Sequence, residues 1–296
     1  MTEFLQQLIN GISVGSMYAL IALGYTLVYG VLRFINFAHS DVFMVGSFVG
    51  FYVSRNFSTI TWGGGLLAMA AAMVACAALG IIIEWSAYRP LRSRSKLTVL
   101  ITAIGVSLLL ENAGQLIFGP NDKPFPTVFP SRSFQFGQIV ISSKDLVVMG
   151  VTLVLLASLR FIVMKTKIGT AMRAVSFNPQ AASLMGINNN LIISFTFGLG
   201  SALAAAAGIL WAYKFPKIQP LMGIAPGLTA FVAAVVGGIG NIPGAALGGL
   251  LIGIIETFVK GSRWSTWTEA IAFVLLILIL MFRPAGLLGK MQPEKV

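Results

Sequence analysis

The sequence predicts an all-α protein that crosses a membrane about eight or nine times, with broken or re-entrant helices among the crossings. Three observations predict it. The 296 residues are 57% hydrophobic and only 10% charged, where a soluble domain carries about 25% charged residues; the mean hydropathy is +0.89. Apolar runs long enough to span a bilayer follow one another, too continuous for barrel strands, which alternate over about ten residues. Finally, the uncharged run 218–255 is interrupted midway by "GGIGNIPGAALGG".

Taken in order, residues 11–32 carry no charge and form the first span. The preceding "MTEFLQQLING" has no basic segment and no small-residue cleavage site, so this run reads as a retained span and not a signal peptide. Residues 42–54 are apolar but short. Residues 62–83 form the next span and hold Cys76, the only cysteine, read as packing. Spans follow at 97–119, with Glu111 toward its outer end, and at 146–164, where Arg160 can snorkel to the interface. Residues 191–213 and 264–282 complete the regular spans. At about 1.5 Å per residue, 218–255 would make a helix of roughly 57 Å, nearly twice the hydrocarbon core. Gly237, Gly238, Gly240 and Pro243 break it, into two short crossings or one crossing and a re-entrant segment.

The net charge of +11 suggests nucleic acid, but its distribution suggests topology. The loop "YRPLRSRSK" (88–96) and the segment holding Arg160, Lys165, Lys167 and Arg173 are basic and free of acid, so both belong on the cytoplasmic side. The 118–145 connection mixes signs and faces outward. Arg283, Lys290 and Lys295 place the C-terminus inside, and parity places the N-terminus outside.

No catalytic constellation is present. One histidine, one cysteine and scattered carboxylates make no metal site of ordinary spacing, and no P-loop occurs. The expectation is therefore no cofactor, no metal and no enzymatic activity.

Two polar segments stand out. "RFINFAHSD" gathers Arg33, Asn36, His39 and Asp41 between apolar runs. Polar groups in hydrocarbon need partners. They either hold a break between two helices, line a solute pathway, or make His39 a proton relay. In the first case Asn36 and His39 cap half-helices and Asp41 sits at the N-terminus of the helix starting near 42, with Arg33 pairing to Asp41 or reaching headgroups. In "GTAMRAVSFNPQAASLMGINNN", Asn178 suits an N-cap, Pro179 the first helical position and Gly186 the C′ position. A two-turn helix over 179–185 results, with Ala181, Ala182, Leu184 and Met185 as its apolar members. It is either a knob for a partner's groove or a helix lying on the bilayer.

The chain resembles the permease subunits of ATP-binding cassette importers for branched-chain amino acids, and within them the H-type subunits of high-affinity leucine/isoleucine/valine systems. The matching stretches are "GISVGSMYALIALGYTLVYGVLRFINFAHSDVFMVGSF", "YRPLR", "GTAMRAVSFNPQAASLMGIN" and "AAVVGGIGNIPGAALGGLLIGIIE". Family members usually read Gly-Glu or Gly-Asp where this chain has Ser40-Asp41, which puts in question any tight turn that the glycine supports. The resemblance implies one transmembrane permease domain over 1–296 with a cytoplasmic coupling loop at 166–190, whose helix at 179–186 contacts an ATPase. It further implies two ATPase subunits, a second related permease and a periplasmic or lipid-anchored binding protein, at the bacterial inner membrane. The solute would be a branched-chain or other neutral amino acid, moved by alternating access. A urea or short-amide permease of the same family is the near alternative, and an ATP-independent channel or carrier the distant one.

Overall fold

The computed structural model describes residues 2–57, 60–92, 94–137 and 139–289. Ser93 of the basic loop, and Lys290 and Lys295 of the tail, lie outside the described residues.

Helix α1 (Thr2–Leu32) is the axis around which the others pack. Among the described residues seven helices are long and apolar enough to cross a membrane, and α1 is the least hydrophobic of them yet the most buried. Its N-terminal half carries Gly11, Ser13, Gly15 and Ser16 in place of bulky side chains. That pattern suits a helix that meets protein on every side, where small residues let backbones approach. Helix α2 (His39–Ser54) follows a short connection. Helix α3 (Trp62–Ile83) runs into a π-turn at Glu84–Tyr88 and a 3₁₀ turn at Arg89–Leu91. Helices α4 (Lys96–Phe118) and α5 (Ser143–Lys165) complete the first half.

Helices α6 (Lys167–Phe177) and α7 (Pro179–Leu184) lead into α8 (Asn189–Lys214), the second buried helix, whose "SALAAAAGIL" segment packs against α1, α2 and α3. The 38 uncharged residues form two helices, α9 (Ile224–Gly237) and α10 (Ile242–Lys260). Helix α11 (Thr268–Phe282) and α4 stay on the periphery and are the most exposed of the spans.

Helices α1 and α10 run antiparallel along a seam of small residues. A Cβ added to Gly15 would stand 2.8 Å from Leu250 Cα, one on Gly11 would stand 2.8 Å from Ile254 Cα, and one on Gly249 would strike the backbone of Ala19. At the end of the bundle where α1 begins, β1 (Lys123–Pro124) pairs antiparallel with β4 (Lys217–Ile218), and β2 (Ser133–Phe136) with β3 (Ile139–Ser142). The Gln6 amide closes the edge of β3, donating to the Val140 carbonyl and accepting from its N–H, both at 2.9 Å. Lys214 ties α8 to Asp145 of α5 and to Ser13 of α1, beside a cleft of about 560 Å³.

Helices α2 and α9 are too short to span: 16 and 14 residues give about 24 and 21 Å of a roughly 30 Å core. Their N-terminal ends meet. A Cβ on Gly223 or Gly227 would collide with Ser40. The long uncharged run is thus one half-crossing that starts inside the bundle and one full crossing.

Candidate functional site: two helix breaks and a cytoplasmic loop

The first break begins at the end of α1. Arg33 adopts φ 57°, the left-handed conformation usually left to glycine, and its N–H donates to the Tyr29 carbonyl at 2.8 Å. This reversal turns the chain back toward the bundle. His39 then lies against Gly24, eight residues before the end of α1, which corresponds to about 12 Å of helix. The segment 33–38 therefore turns back into the bundle, and α2 starts alongside Gly24 of α1.

Asn36 and His39 do not cap half-helices as the sequence suggests, whereas Asp41 takes its expected place in the first turn of α2. The N-cap of α2 is Ala38, without a side-chain cap. Asn36 does not cap either: its Oδ1 accepts from the Tyr88 hydroxyl at 2.6 Å, and its main-chain carbonyl accepts from His39 N–H at 3.2 Å. The reason is the π-turn after α3, which carries the buried Tyr88 to the break. The His39 ring sits 4.8 Å from the Tyr25 ring and fills the space that a side chain on Gly24 would take. Its Nε2, which faces Gly24, has no hydrogen-bond partner among the described residues. Asp41 lies in the first turn of α2, where a carboxylate complements the helix dipole, and it accepts from Ser107 of α4. Ser40 is an ordinary helical residue whose hydroxyl donates to the Phe37 carbonyl at 3.0 Å, so no glycine conformation is required there. Gly223 and Gly227 on α9 make the room for its side chain.

His39 is expected to serve by shape and polarity, not by titration. His39→Gln should keep most uptake and His39→Leu should lose it by about tenfold, the scale of a buried polar contact. Uptake into vesicles across pH 6 to 8, roughly the range in which a histidine titrates, is the assay. Equal loss in both variants, with a wild-type pH dependence that disappears in them, would establish a relay instead.

The second break lies between α9 and α10. Gly238 at φ 106° and Gly240 at φ 91° turn the chain, and Gly237 packs directly on Gly244. Asn241 caps α10 by accepting from Gly244 N–H, with Ile242 and Pro243 forming its first turn. Leu287 and Leu288 N–H groups donate to the Val236 and Gly237 carbonyls, so the chain after α11 satisfies the end of α9. Gly240 stands beside Gly30, near the end of α1, so the two breaks adjoin.

The loop 166–190 also meets them. Ser176 of α6 donates to the Gly30 carbonyl, one of the unpaired acceptors at the end of α1. Asn178 separates α6 from α7 and caps the latter, accepting from Gln180 and Ala181 N–H at 3.0 Å. Gly186 ends it at φ 81°. Leu184 is 89% and Met185 83% exposed, with Phe177 at 85% beside them. Ala182 is buried, so it holds the loop together, while Ala181 is exposed. Phe177, Leu184 and Met185 are thus three large apolar side chains left uncovered by the rest of the chain, a feature that marks interaction sites.

Sequence reasoning missed Glu84, Tyr88 and Ser107. The signal for the first two is "EWSAYRPLR": an acid followed by two arginines at the end of an apolar span. Ser107 gives no signal, because a lone serine in a span is ordinary.

Seven long apolar helices, two adjoining helix breaks and an exposed apolar loop make up a multi-pass membrane protein. Residues 7–280 match the family described as "Branched-chain amino acid transport system / permease component". The chain belongs to that family, one of permease subunits and not of enzymes. It is 43% identical to the high-affinity branched-chain amino acid transport system permease protein BraD of Pseudomonas aeruginosa, over 99% of this chain and 98% of that one. It is 40% identical to the corresponding protein LivH of Escherichia coli K12, over 99% and 98%. A more distant relative is the ribose import permease protein RbsC of the same bacterium, 27% identical over 72% of this chain and 67% of that one.

Proposed function

We propose that this chain is the membrane subunit of an ATP-driven importer of branched-chain amino acids in a bacterial inner membrane, a single permease domain over 1–296. Membership of the family carries the class. The amino-acid permeases match over nearly the whole chain at 40–43% identity, whereas the ribose permease matches at 27% over part of it, which favours an amino acid as solute. ATP hydrolysis falls to two separate ATPase subunits. A second related permease completes the membrane part, and a periplasmic or lipid-anchored binding protein delivers the solute.

The observation that supports coupling is the exposed trio Phe177, Leu184 and Met185 on the loop 166–190. Asn178, Pro179 and Gly186 set the shape of α7, and the knob seats in an ATPase groove. The adjoining breaks, with Asn36, His39 and Asp41 on one side and Gly237, Gly238, Gly240 and Pro243 on the other, form the part of the pathway that changes conformation as the helices rock. Purification in mild detergent should bring down an ATPase pair, and leucine uptake into inside-filled vesicles should require ATP. A chain that transports leucine without any ATPase would be a carrier, and the reading would fall.

The orientation follows from the acid-free basic loops and has its own check. A cysteine replacing the exposed Gln180 should be labelled only from the cytoplasm, and one replacing the exposed Ser131 only from outside. External labelling at 180 would invert the topology.

A further inference from the structure

We infer that the π-turn Glu84–Tyr88 transmits movement of the cytoplasmic loop to the re-entrant break, with Glu84 and Tyr88 as positioning residues for transport; this rests on the reading of α7 as the ATPase contact. π-turns are uncommon and cluster at functional sites. This one is held at both ends by directional bonds.

The cytoplasmic end is anchored by Glu84, whose side chain is fully buried. Its carboxylate accepts from Arg89 at 2.9 Å, from Ser194 of α8 at 2.6 Å, and from Arg92. Arg92 also donates to Asn190 at 2.9 Å, and the adjacent Asn189 donates to the carbonyl of Pro179, the first residue of α7, at 2.8 Å. A buried carboxylate is tolerable only while its donors stay in place, so the group moves as one body when α8 and α7 move.

The membrane end is Tyr88. It is fully buried, its ring packs on Phe34 and Phe197, and its hydroxyl donates to Asn36. Asn36 in turn receives the first N–H of α2 from His39. An unbroken series of packed and hydrogen-bonded groups therefore runs from α7 to the start of α2. Such a series transmits only if both ends respond to it, and Tyr88 is where it can be cut with least damage.

The test uses the complete transporter in proteoliposomes, with leucine uptake and phosphate release measured on the same vesicles. Tyr88→Phe keeps the ring and removes one hydroxyl. Leucine moved per ATP hydrolysed should fall by about tenfold, the change one buried hydrogen bond makes in an equilibrium, while ATPase co-purification and phosphate release stay at the wild-type level. Asn36→Leu should show the same loss, and the double variant should be no worse than either single, since both cut one bond. A purely structural role predicts less assembled complex with an unchanged ratio. That result, or multiplied losses in the double variant, overturns the inference. Glu84→Gln, which keeps the acceptor oxygen but not the charge, should lower the same ratio; if it fails to assemble, the Tyr88 and Asn36 variants still decide. A wild-type chain that recruits no ATPase would instead refute the reading of α7, and does so before any variant is made.

Discussion

Leu184→Asp in α7 is expected to abolish both ATPase association and uptake while the chain still reaches the membrane. The side chain is 89% exposed, so its replacement removes almost no contact within the subunit. Surface substitutions of that kind usually change stability by less than about 0.5 kcal/mol. In an apolar groove the outcome differs, because a charge stripped of water without a partner costs several kcal/mol. At about 1.4 kcal/mol per tenfold, a penalty of roughly 3–5 kcal/mol weakens association by about two to four orders of magnitude. The measurement is co-purification of ATPase chains, alongside the membrane level of the variant. Normal association and normal uptake would remove α7 from the interface. Ala182→Asp is a poor substitute for this experiment: Ala182 is buried, so a charge there unfolds the loop whether or not anything docks on it.

Gly253→Val should prevent the bundle from assembling at all. A Cβ at 253 would collide with the backbone of Gly15. Backbone cannot yield as a side-chain tip can, so α1 and α10 would have to separate along their shared length. Overpacking in an ordinary core costs about 1–3 kcal/mol; here the seam also holds Gly11, Gly15 and Gly249, and the damage spreads along it. The membrane-inserted protein recovered should fall by at least about tenfold, with aggregation or proteolysis of the rest. Gly105→Ala is the matched control. Nothing lies within 4 Å of the added Cβ at 105, and alanine improves helix propensity by about 1 kcal/mol. Wild-type recovery of Gly253→Val would mean that the seam is looser than its geometry indicates.

Much of this architecture was legible because lipid leaves few choices. Apolar length located the spans to within a few residues for α4, α5, α8 and α11, and cap chemistry at Asn178, Pro179 and Gly186 drew α7 almost as it is. The excess length of 218–255 announced a break, and Gly238 and Gly240 with positive φ supply it. The partners of the polar residues were not legible. Asn36 looked like a cap because capping is local, and local chemistry is what a sequence displays. Its actual partner, Tyr88, is 52 residues away. Asp41 likewise meets Ser107 across helices. The depth at which α2 starts also escaped, since it depends on Gly24 leaving space for His39.

The burial of α1 has a consequence for biosynthesis. This helix is synthesised before the helices that enclose it, is the least hydrophobic of the long helices among the described residues, and is the one most enclosed at the end. Its principal partner α10 begins at Ile242, 210 residues after α1 ends at Leu32 (242 − 32). At roughly 5–20 residues per second, that interval is about 10–40 s. Throughout it the face of α1 that holds Gly11 and Gly15 lacks the helix that covers it, although α5 and α8 already meet Ser16 and Ser13. The fold thus closes this seam late, and any truncation before α10 leaves α1 inserted but never fully enclosed.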